Sequence, residues 1–251
     1  MLRETLRKAA DGEVLSEGEA ERALETIMEG NAPPAATAAL LTALRVKGEA
    51  VPEIVGFARA MRRFAAKVEA PEGVVDTCGT GGDAKGTINV STAAAFVARG
   101  AGVVVAKHGN RAATSRAGSA DVLEALGAEI ELGPEEVSRC IAEAGIGFMF
   151  ARTHHPAMRF VAPVRAELPF RTVFNLLGPL TNPAGARRQL VGVFGGAYVR
   201  PVAEALRDLG AEKALVVHGT DGMDEITVTG KTLVADVSEG GIEEYEISPE
   251  D

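Results

Sequence analysis

The chain of 251 residues is long enough for one large domain or for a small domain joined to a larger one, and its composition, 46% hydrophobic and 24% charged, excludes a disordered chain. It has no run near the roughly 18 apolar residues of a membrane-spanning helix and no apolar core of a secretory signal at its start, so we expect no membrane contact and a cytoplasmic location. The net charge of −9 argues against general nucleic-acid binding, which requires a basic face.

Residues 1–69 are predicted to form a small helical domain. Ser16 and Glu19 have the spacing of a capping box, and apolar residues follow them at helical intervals. A proline pair opens the next predicted helix, Gly48 ends it, and Pro52 starts another. Because so small a domain cannot bury a sufficient core alone, we expect it to pack either against the rest of the chain or against a second subunit.

From residue 70 onwards, short β-branched runs alternate with helical stretches. This alternation predicts an α/β domain over residues 70–251 with a mostly parallel central sheet. The predicted strands are 74–76, 103–105, 147–150, 190–194 and 215–217, with further β segments at 226–229, 233–235 and 242–247. The helices predicted between the strands include 91–99, 120–126 and 134–144. In open α/β sheets ligands bind beyond the carboxyl ends of the strands, so the residues that bind a ligand are expected just after each strand.

A glycine-rich loop follows the first predicted strand and leads to a helix start. Its residues are Gly79, Thr80, Gly81, Gly82 and Asp83, followed by Asn89, Val90, Ser91 and Thr92. Glycines let backbone N–H groups approach a ligand, and the helix N-terminus adds free donors, so together they predict a phosphate site. The alternative is a tight turn with an N-cap. The loop lacks the Gly-Lys-Ser/Thr of a P-loop and the third glycine of the dinucleotide fingerprint.

A second polar loop follows the next strand, at 107–111 and 114–121. It carries cations, hydroxyls and glycines, which offer charge-assisted donors to a pyrophosphate. The alternative is a basic solvated loop, but two such loops after adjacent strands are harder to explain as turns than one.

Two carboxylates, Asp224 and Glu225, follow the strand that ends at Val217. Such a pair suits Mg²⁺, which needs a few hard oxygens and keeps several waters, and pyrophosphate would supply further oxygens. Without that context, an acidic pair in a loop is more often a solvated turn.

Arg165 lies in a helical stretch flanked by apolar residues. Its guanidinium could bind a carboxylate in bidentate fashion or extend over the helical domain, and from the residues alone we favour the second. His154 and His155 lack further ligands at zinc-like spacing, and there is no Ser-His-Asp order. Cys78 and Cys140 are expected to be reduced and buried.

Taken in order, these motifs resemble those of anthranilate phosphoribosyltransferases. The resemblance also covers Arg165 and the segment 175–183, and it runs from the first helices to the last residue. It implies transfer of the phosphoribosyl group of phosphoribosyl pyrophosphate to anthranilate, with release of pyrophosphate and dependence on Mg²⁺. The implied fold, of the nucleoside phosphorylase and phosphoribosyltransferase type, is a helical module plus an α/β domain, joined as a homodimer through the helices.

The resemblance also implies the site residues. Phosphoribosyl pyrophosphate would be bound by Gly79, Gly82, Asp83, Thr87, Asn89, Val90, Ser91, Thr92, Lys107, His108, Gly109, Asn110, Arg111, Ala112, Ala113, Thr114, Ser115 and Ser119. Anthranilate would be bound by Gly79, Asn110 and Arg165, and Mg²⁺ by Ser91, Asp224 and Glu225. No catalytic base is identified, although His108 is a candidate, because an aryl amine is already neutral near pH 7.

The chain departs from the family pattern at two positions, with Thr114 where serine is common and Arg116 where lysine is. Family members generally continue beyond the position of Asp251, so we expect the C-terminal part of the α/β domain to be lacking. Two rival functions remain. A pyrimidine nucleoside phosphorylase would use inorganic phosphate, which the acidic pair and the 107–111 motif disfavour, and a sensor would bind the phosphorylated sugar without consuming it.

Overall fold

The computed structural model describes residues 2–82, 85–112 and 117–251. Four helices come first: α1 (Leu2–Ala10), α2 (Glu17–Met28), α3 (Pro34–Lys47) and α4 (Val51–Phe64). Ser16 caps α2 through the predicted capping box with Glu19, and Gly48, with φ of 88°, ends α3. Within the described ranges, no helix has the length and apolar character needed to cross a bilayer.

A seven-stranded sheet follows. Its strands are β1 (Val75–Gly79), β2 (Val105–Gly109), β3 (Ile146–Phe150), β4 (Arg188–Gly192), β5 (Lys213–Gly219), β6 (Thr232–Ser238) and β7 (Gly241–Ile247). The spatial order is β3-β2-β1-β4-β5-β6-β7. The first five strands are parallel to their neighbours, and β6 and β7 are antiparallel. The predicted fold class, a helical domain followed by an α/β domain with a mostly parallel sheet, is therefore confirmed.

The remaining helices connect or cover the strands. They are α5 (Val90–Gly100), α6 (Ser119–Ala125), α7 (Pro134–Ala144), α8 (Ala151–His154), α9 (Ala162–Ala166), α10 (Phe174–Leu177) and α11 (Val199–Asp208). Short 3-10 turns lie at Pro156–Phe160, Gly178–Leu180 and Gly196–Tyr198. One apolar core joins side chains of α2 and α4 to those of β4, β5 and α11, so the helical region packs directly on the sheet.

Two strand predictions need correction. The strand predicted at 103–105 begins only at Val105 and runs to Gly109, so Lys107 and His108 lie within β2 and not after it. The strand predicted at 226–229 is wrong, because this segment is a loop. The Thr227 and Thr229 hydroxyls both donate to Asp221 Oδ2, at 2.6 and 2.5 Å, and such local bonds compete with a strand ladder.

The sheet edge formed by β7 carries exposed carboxylates. Glu243, Glu244 and Glu246 are all exposed on this strand. Glu244 accepts a hydrogen bond from Arg200 at 2.8 Å, and Glu246 accepts one from Lys231 at 2.8 Å.

Candidate active site

The strand order reverses between β1 and β4, and the carboxyl ends of these strands meet there. In open α/β sheets this is where a ligand crevice opens. Both strands end in glycine, and the loop after β5 that carries Asp224 and Glu225 (the acidic loop) enters beside them. A Cβ on Gly192 would lie 1.6 Å from the Asp224 carbonyl oxygen, and one on Gly79 would lie 2.8 Å from Asp224 Oδ2. Glycine at these two ends therefore allows Asp224 to reach the crevice.

The glycine loop (residues 79–82) is anchored to the acidic loop and to β4. The Gly81 N–H donates to Asp224 Oδ2 at 2.7 Å. The Thr80 N–H donates to the Gly192 carbonyl at 2.9 Å, and the Thr80 hydroxyl oxygen accepts from the Phe194 N–H at 2.9 Å. Asp224 is buried, so its carboxylate is part of the loop's framework as well as a candidate metal ligand.

Lys107 brings β2 to the same place. Its ammonium, on a side chain only 2% exposed, donates to the Thr77 carbonyl and to Ser91 Oγ, the latter at 3.3 Å. Burial lowers the pKa of Lys107, while the negative charges of Asp76 and Glu225 act in the opposite direction. An ammonium has three donors, and contacts with the described residues use two of them, which leaves the third N–H bond for an anion.

A buried layer orients these side chains from below. Asp76 is fully buried and accepts from the His108 N–H at 3.2 Å and from Asn182 Nδ2 at 2.8 Å. Asn182 also donates to the Ala106 carbonyl at 2.8 Å. Burial raises the pKa of Asp76, and the nearby charge of Lys107 opposes that rise. This layer fixes β2 against β1 at the level of the crevice.

His108 and His155 form a buried pair whose ring nitrogens Nε2 are 3.2 Å apart. His108 Nδ1 lies 3.2 Å from the Gly178 carbonyl, which can only accept, so Nδ1 carries the proton. His108 Nε2 must then accept from the Nε2–H of His155, and both rings are neutral. Burial lowers the pKa of His108 well below its usual value and that of His155 to about 4, which keeps the pair neutral at pH 7.

The oxygens of Asp224, Glu225 and Ser91 are the candidate metal ligands. Glu225 and Ser91 line one cavity of about 210 Å³ beside β1. Across the described ranges, no group of three or more His, Cys, Asp or Glu is placed to hold a metal ion. Two carboxylates and a hydroxyl form an incomplete hard-oxygen set, which fits Mg²⁺ when substrate oxygens and water complete its shell.

The start of α5 and the loop after β2 are organised by their own side chains. Asn89 caps α5, because its Oδ1 accepts from the Thr92 N–H at 3.0 Å. Asp121 accepts from the N–H groups of Ala112 and Gly118, both at 2.9 Å, and these bonds lower its pKa. Arg111 is paired with Asp121 and Glu124 at 3.0 and 2.7 Å.

Arg165 lies on α9, apart from this cluster. Its guanidinium carbon is 5.3 Å from the centroid of the Phe174 ring, and burial lowers its pKa. In the part of the chain that the structure describes, no carboxylate pairs with Arg165, and no hydrogen bond joins its side chain or that of Asn110 to the crevice residues. A desolvated guanidinium of this kind favours an anionic partner.

Comparison with known proteins places the chain. Two family models match it: the helical bundle domain of the glycosyl transferase family at residues 3–65, and the a/b domain of that family at residues 71–251. A protein of Rubrobacter xylanophilus named anthranilate phosphoribosyltransferase is 88% identical over 251 residues, which are 100% of this chain and 73% of that protein. The protein of this name from Azorhizobium caulinodans is 57% identical, over 99% of this chain and 72% of its own. The chain belongs to the anthranilate phosphoribosyltransferase family.

Solved structures of this family have the same fold as this chain. The crystal structure of the anthranilate phosphoribosyltransferase from Thermus thermophilus superposes with a TM-score of 0.92 at 53% identity, over 98% of this chain and 73% of that one. The Saccharomyces cerevisiae enzyme in complex with PRPP and Mg gives a TM-score of 0.90 at 29% identity, over 99% of this chain and 73% of its own. The family resemblance inferred from the motifs is therefore confirmed.

Within the anthranilate phosphoribosyltransferase fold, several of the predicted donor and metal residues lie at the crevice. Gly79, Gly82, Ser91, Lys107, Asp224 and Glu225 lie there, whereas Thr87 is exposed and Arg111 faces α6. Asp83, Ala113, Thr114 and Ser115 lie outside the described residues. Cys78 is buried as expected, whereas Cys140 is only partly so, and both are free thiols.

Sequence reasoning missed Asp76, Arg171 and Gly192, and it included Thr80, Asp121 and Asn182 in motifs without giving them a role of their own. Thr80 lies in the glycine loop, Asp121 in the loop 114–121 and Asn182 in the segment 175–183. Asp76, a carboxylate at the end of an apolar strand run, was the one available signal for the buried layer.

Proposed function

We propose that this chain transfers the phosphoribosyl group of phosphoribosyl pyrophosphate to the amine of anthranilate, giving N-(5-phosphoribosyl)anthranilate and pyrophosphate in tryptophan biosynthesis. The observation that carries the proposal is the approach of the glycine loop, Lys107 and the Asp224 loop to one crevice at the strand-order reversal. The names of the relatives and the yeast complex with PRPP and Mg support it.

In the reaction the bond from the anomeric carbon to pyrophosphate breaks, and a bond from that carbon to the amine nitrogen forms. Pyrophosphate leaves with the bonding electron pair, and the amine loses one proton. Lys107 stabilises the charge that grows on pyrophosphate, while the glycine loop, held by its bonds to β4 and Asp224, shapes the space that pyrophosphate occupies. Ser91, Asp224 and Glu225 would hold Mg²⁺, which would supply positive charge that neutralises part of the charge on pyrophosphate.

Arg165 and Asn110 orient anthranilate, Arg165 through its carboxylate. A half-buried guanidinium over Phe174 offers the fork that a carboxylate requires. Fixing the amine beside the anomeric carbon lowers the entropic cost of attack. His108 contributes orientation, because both of its ring nitrogens are engaged, one by Gly178 and the other by His155.

The domain boundary at residues 69 and 70, a homodimer joined through the helical domain and a cytoplasmic location remain predictions. So do the individual assignments of donor, acceptor and metal residues.

The test follows anthranilate fluorescence in a mixture of protein, Mg²⁺, phosphoribosyl pyrophosphate and anthranilate. The transferase removes the signal only when the donor and Mg²⁺ are both present. A signal that persists while calorimetry detects bound donor would identify the sensor, and release of free base from a pyrimidine nucleoside with inorganic phosphate would identify the phosphorylase.

A further inference from the structure

Arg171 is fixed by two contacts that link distant parts of the chain. Its Nη2 donates to the Gly82 carbonyl, and its guanidinium carbon lies 4.3 Å from the centroid of the Phe194 ring. The residue is exposed, and among the described residues no carboxylate pairs with it. The Gly82 carbonyl and the aromatic ring therefore determine where this cation lies.

The same ring belongs to a second anchor of the glycine loop. Phe194 follows β4, and its N–H donates to Thr80 Oγ1 at 2.9 Å. With the bond from the Gly81 N–H to Asp224 Oδ2 at 2.7 Å, three consecutive residues of the loop are each bonded to a different segment. Thr80 is bonded to the end of β4, Gly81 to the acidic loop and Gly82 to Arg171.

The bond from Arg171 to the Gly82 carbonyl acts at a residue whose backbone has little conformational preference of its own. Gly82 has φ of +84°, and a Cβ there would lie 3.0 Å from Arg171 Nη2. Glycine restricts its dihedral angles weakly, so an external bond to its carbonyl is what fixes the peptide plane. A loop that presents N–H groups to an anion depends on the orientation of such planes.

Arg171 also belongs to the stretch of chain that carries the candidate acceptor residue. Arg165 lies over the ring of Phe174, and Thr172, next to Arg171, donates its N–H to Asn175 Oδ1 at 3.0 Å. The segment 165–171 thus carries Arg165 at one end and contacts the glycine loop through Arg171 at the other.

We propose that Arg171 is a positioning residue that holds the glycine loop in its diphosphate-binding shape and adds positive charge beside it. This inference rests on the proposed function, because it concerns the binding of phosphoribosyl pyrophosphate. Loss of the side chain weakens binding of the donor and leaves the acceptor site nearly intact.

The experiment measures steady-state kinetics of Arg171→Ala with both substrates. We expect the KM for phosphoribosyl pyrophosphate to rise about tenfold, the effect of losing one charge-assisted hydrogen bond, with a change below about twofold in the KM for anthranilate. Arg171→Lys keeps the charge but loses the planar stacking, so its KM for phosphoribosyl pyrophosphate should lie between those of the wild type and of Arg171→Ala. Arg159→Ala is the matched control, since Arg159 makes the same kind of contact with Phe160, at 4.6 Å, away from the crevice.

A double-mutant cycle tests whether the ring and the guanidinium act together. Phe194→Leu keeps the backbone bond to Thr80 but removes the aromatic face, so it should raise the donor KM less than Arg171→Ala does. Combined with Arg171→Ala it should add nothing. An unchanged donor KM in Arg171→Ala, or equal rises for both substrates, would overturn the inference.

Direct calorimetric binding of phosphoribosyl pyrophosphate with Mg²⁺ separates this inference from the proposed function. A wild-type chain that binds the donor but consumes no anthranilate counts against the proposed function, and weaker donor binding by Arg171→Ala would still support the positioning role. If Arg171→Ala does not unfold cooperatively near the unfolding temperature of the wild type, Phe194→Leu serves as the variant for the binding measurement. Unchanged donor binding by Phe194→Leu would then reject the positioning role of Arg171.

Discussion

At the scale of single residues, the site depends on two positions where glycine provides no side chain. Gly79 and Gly192 end neighbouring strands, and at both positions the space of a side chain is occupied by Asp224. A carboxylate can enter a crevice between two strands only where the strand ends are bare. The identity of these residues is therefore set by a residue on another loop.

We expect Gly192→Ala to lower kcat/KM by about a hundredfold or more, because its Cβ would lie 1.6 Å from the Asp224 carbonyl oxygen and must displace the acidic loop by more than about one ångström. The measurement is the Mg²⁺ dependence of turnover, which should shift to higher metal concentration. Gly195→Ala is the control, since a Cβ there meets only the Tyr198 ring at 3.6 Å. Normal Mg²⁺ dependence in Gly192→Ala would contradict the placement of the metal beside Asp224.

Arg165 is the second residue that makes a test possible. Removing its guanidinium in Arg165→Ala should raise the KM for anthranilate by about tenfold to a hundredfold, the range for a lost charge-assisted pair, and change the donor KM far less. Steady-state kinetics with each substrate varied in turn would show the difference. Equal effects on the two substrates would reject its role as the carboxylate ligand.

At the scale of elements, α2 and α4 pack so closely that the backbones nearly touch. Gly56 on α4 is buried, and a Cβ there would lie 2.3 Å from the Glu17 carbonyl oxygen. Beneath this contact, Glu53 is completely buried and accepts from the Leu15 N–H at 2.9 Å and from Lys47 Nζ at 2.6 Å. One carboxylate thus joins the loops before α2 and α4.

Gly56→Ala should reduce the free energy of unfolding by about 2 kcal/mol, as overpacking of a tight contact does. The matched control is Gly18→Ala in α2, where the nearest atom is the flexible end of Arg22 at 3.1 Å. The control should be neutral or stabilising by about 0.5 to 1 kcal/mol, because alanine favours helix. Urea denaturation of both variants gives the comparison, and equal destabilisation would show that helix approach is not the cause.

Elements were predictable to the extent that local pattern determines them. The capping box, the proline and glycine boundaries of α3 and the helix at 134–144 follow from short-range chemistry, and all are present. The segment 226–229 has β-branched residues at strand-like spacing. Asp221 lies outside that segment and accepts hydrogen bonds from the Thr227 and Thr229 hydroxyls, which holds the segment in a loop. The position of β2 was misjudged because Lys107 and His108 look like loop residues, and only the buried Asp76 explains why they lie inside a strand.

The site was predictable to a similar degree. Loops rich in glycine and charge indicate where a ligand binds, since few folds place such residues at successive strand ends. The residues that support them, such as Asn182 and Arg171, act through contacts with residues 106 and 89 positions away in the sequence and have no local signature. Their role becomes visible only once the strands are in order.

At the scale of the whole molecule, three buried histidines make stability depend on pH. Burial lowers the pKa of His108, His154 and His155 below the usual value of 6.5. Because the unfolded chain binds protons that the folded chain refuses, their contribution is fully present above pH 6.5 and is lost as the pH falls toward the folded pKa, about 4 for His155. His154, His155 and Lys107 are the basic groups that act on His108.

Between pH 7.5 and 5.5 we therefore expect the free energy of unfolding to decrease, with a limiting slope of about 1.4 kcal/mol per pH unit for each histidine. Urea unfolding at several pH values measures it. His155→Gln should remove about one histidine's share of the slope. A stability that stays level or rises as the solution is acidified over this interval would contradict the buried, neutral state of the pair.

The glutamates on β7 have a consequence for how copies of the chain meet. A sheet edge offers unpaired backbone groups to any strand that approaches it, and charge is one means of discouraging this. Two copies whose β7 strands lay edge to edge would bring the exposed Glu243, Glu244 and Glu246 of one copy against those of the other. This repulsion acts between exposed charges and is screened by salt, so raising the ionic strength should favour edge-to-edge association of the molecules along β7.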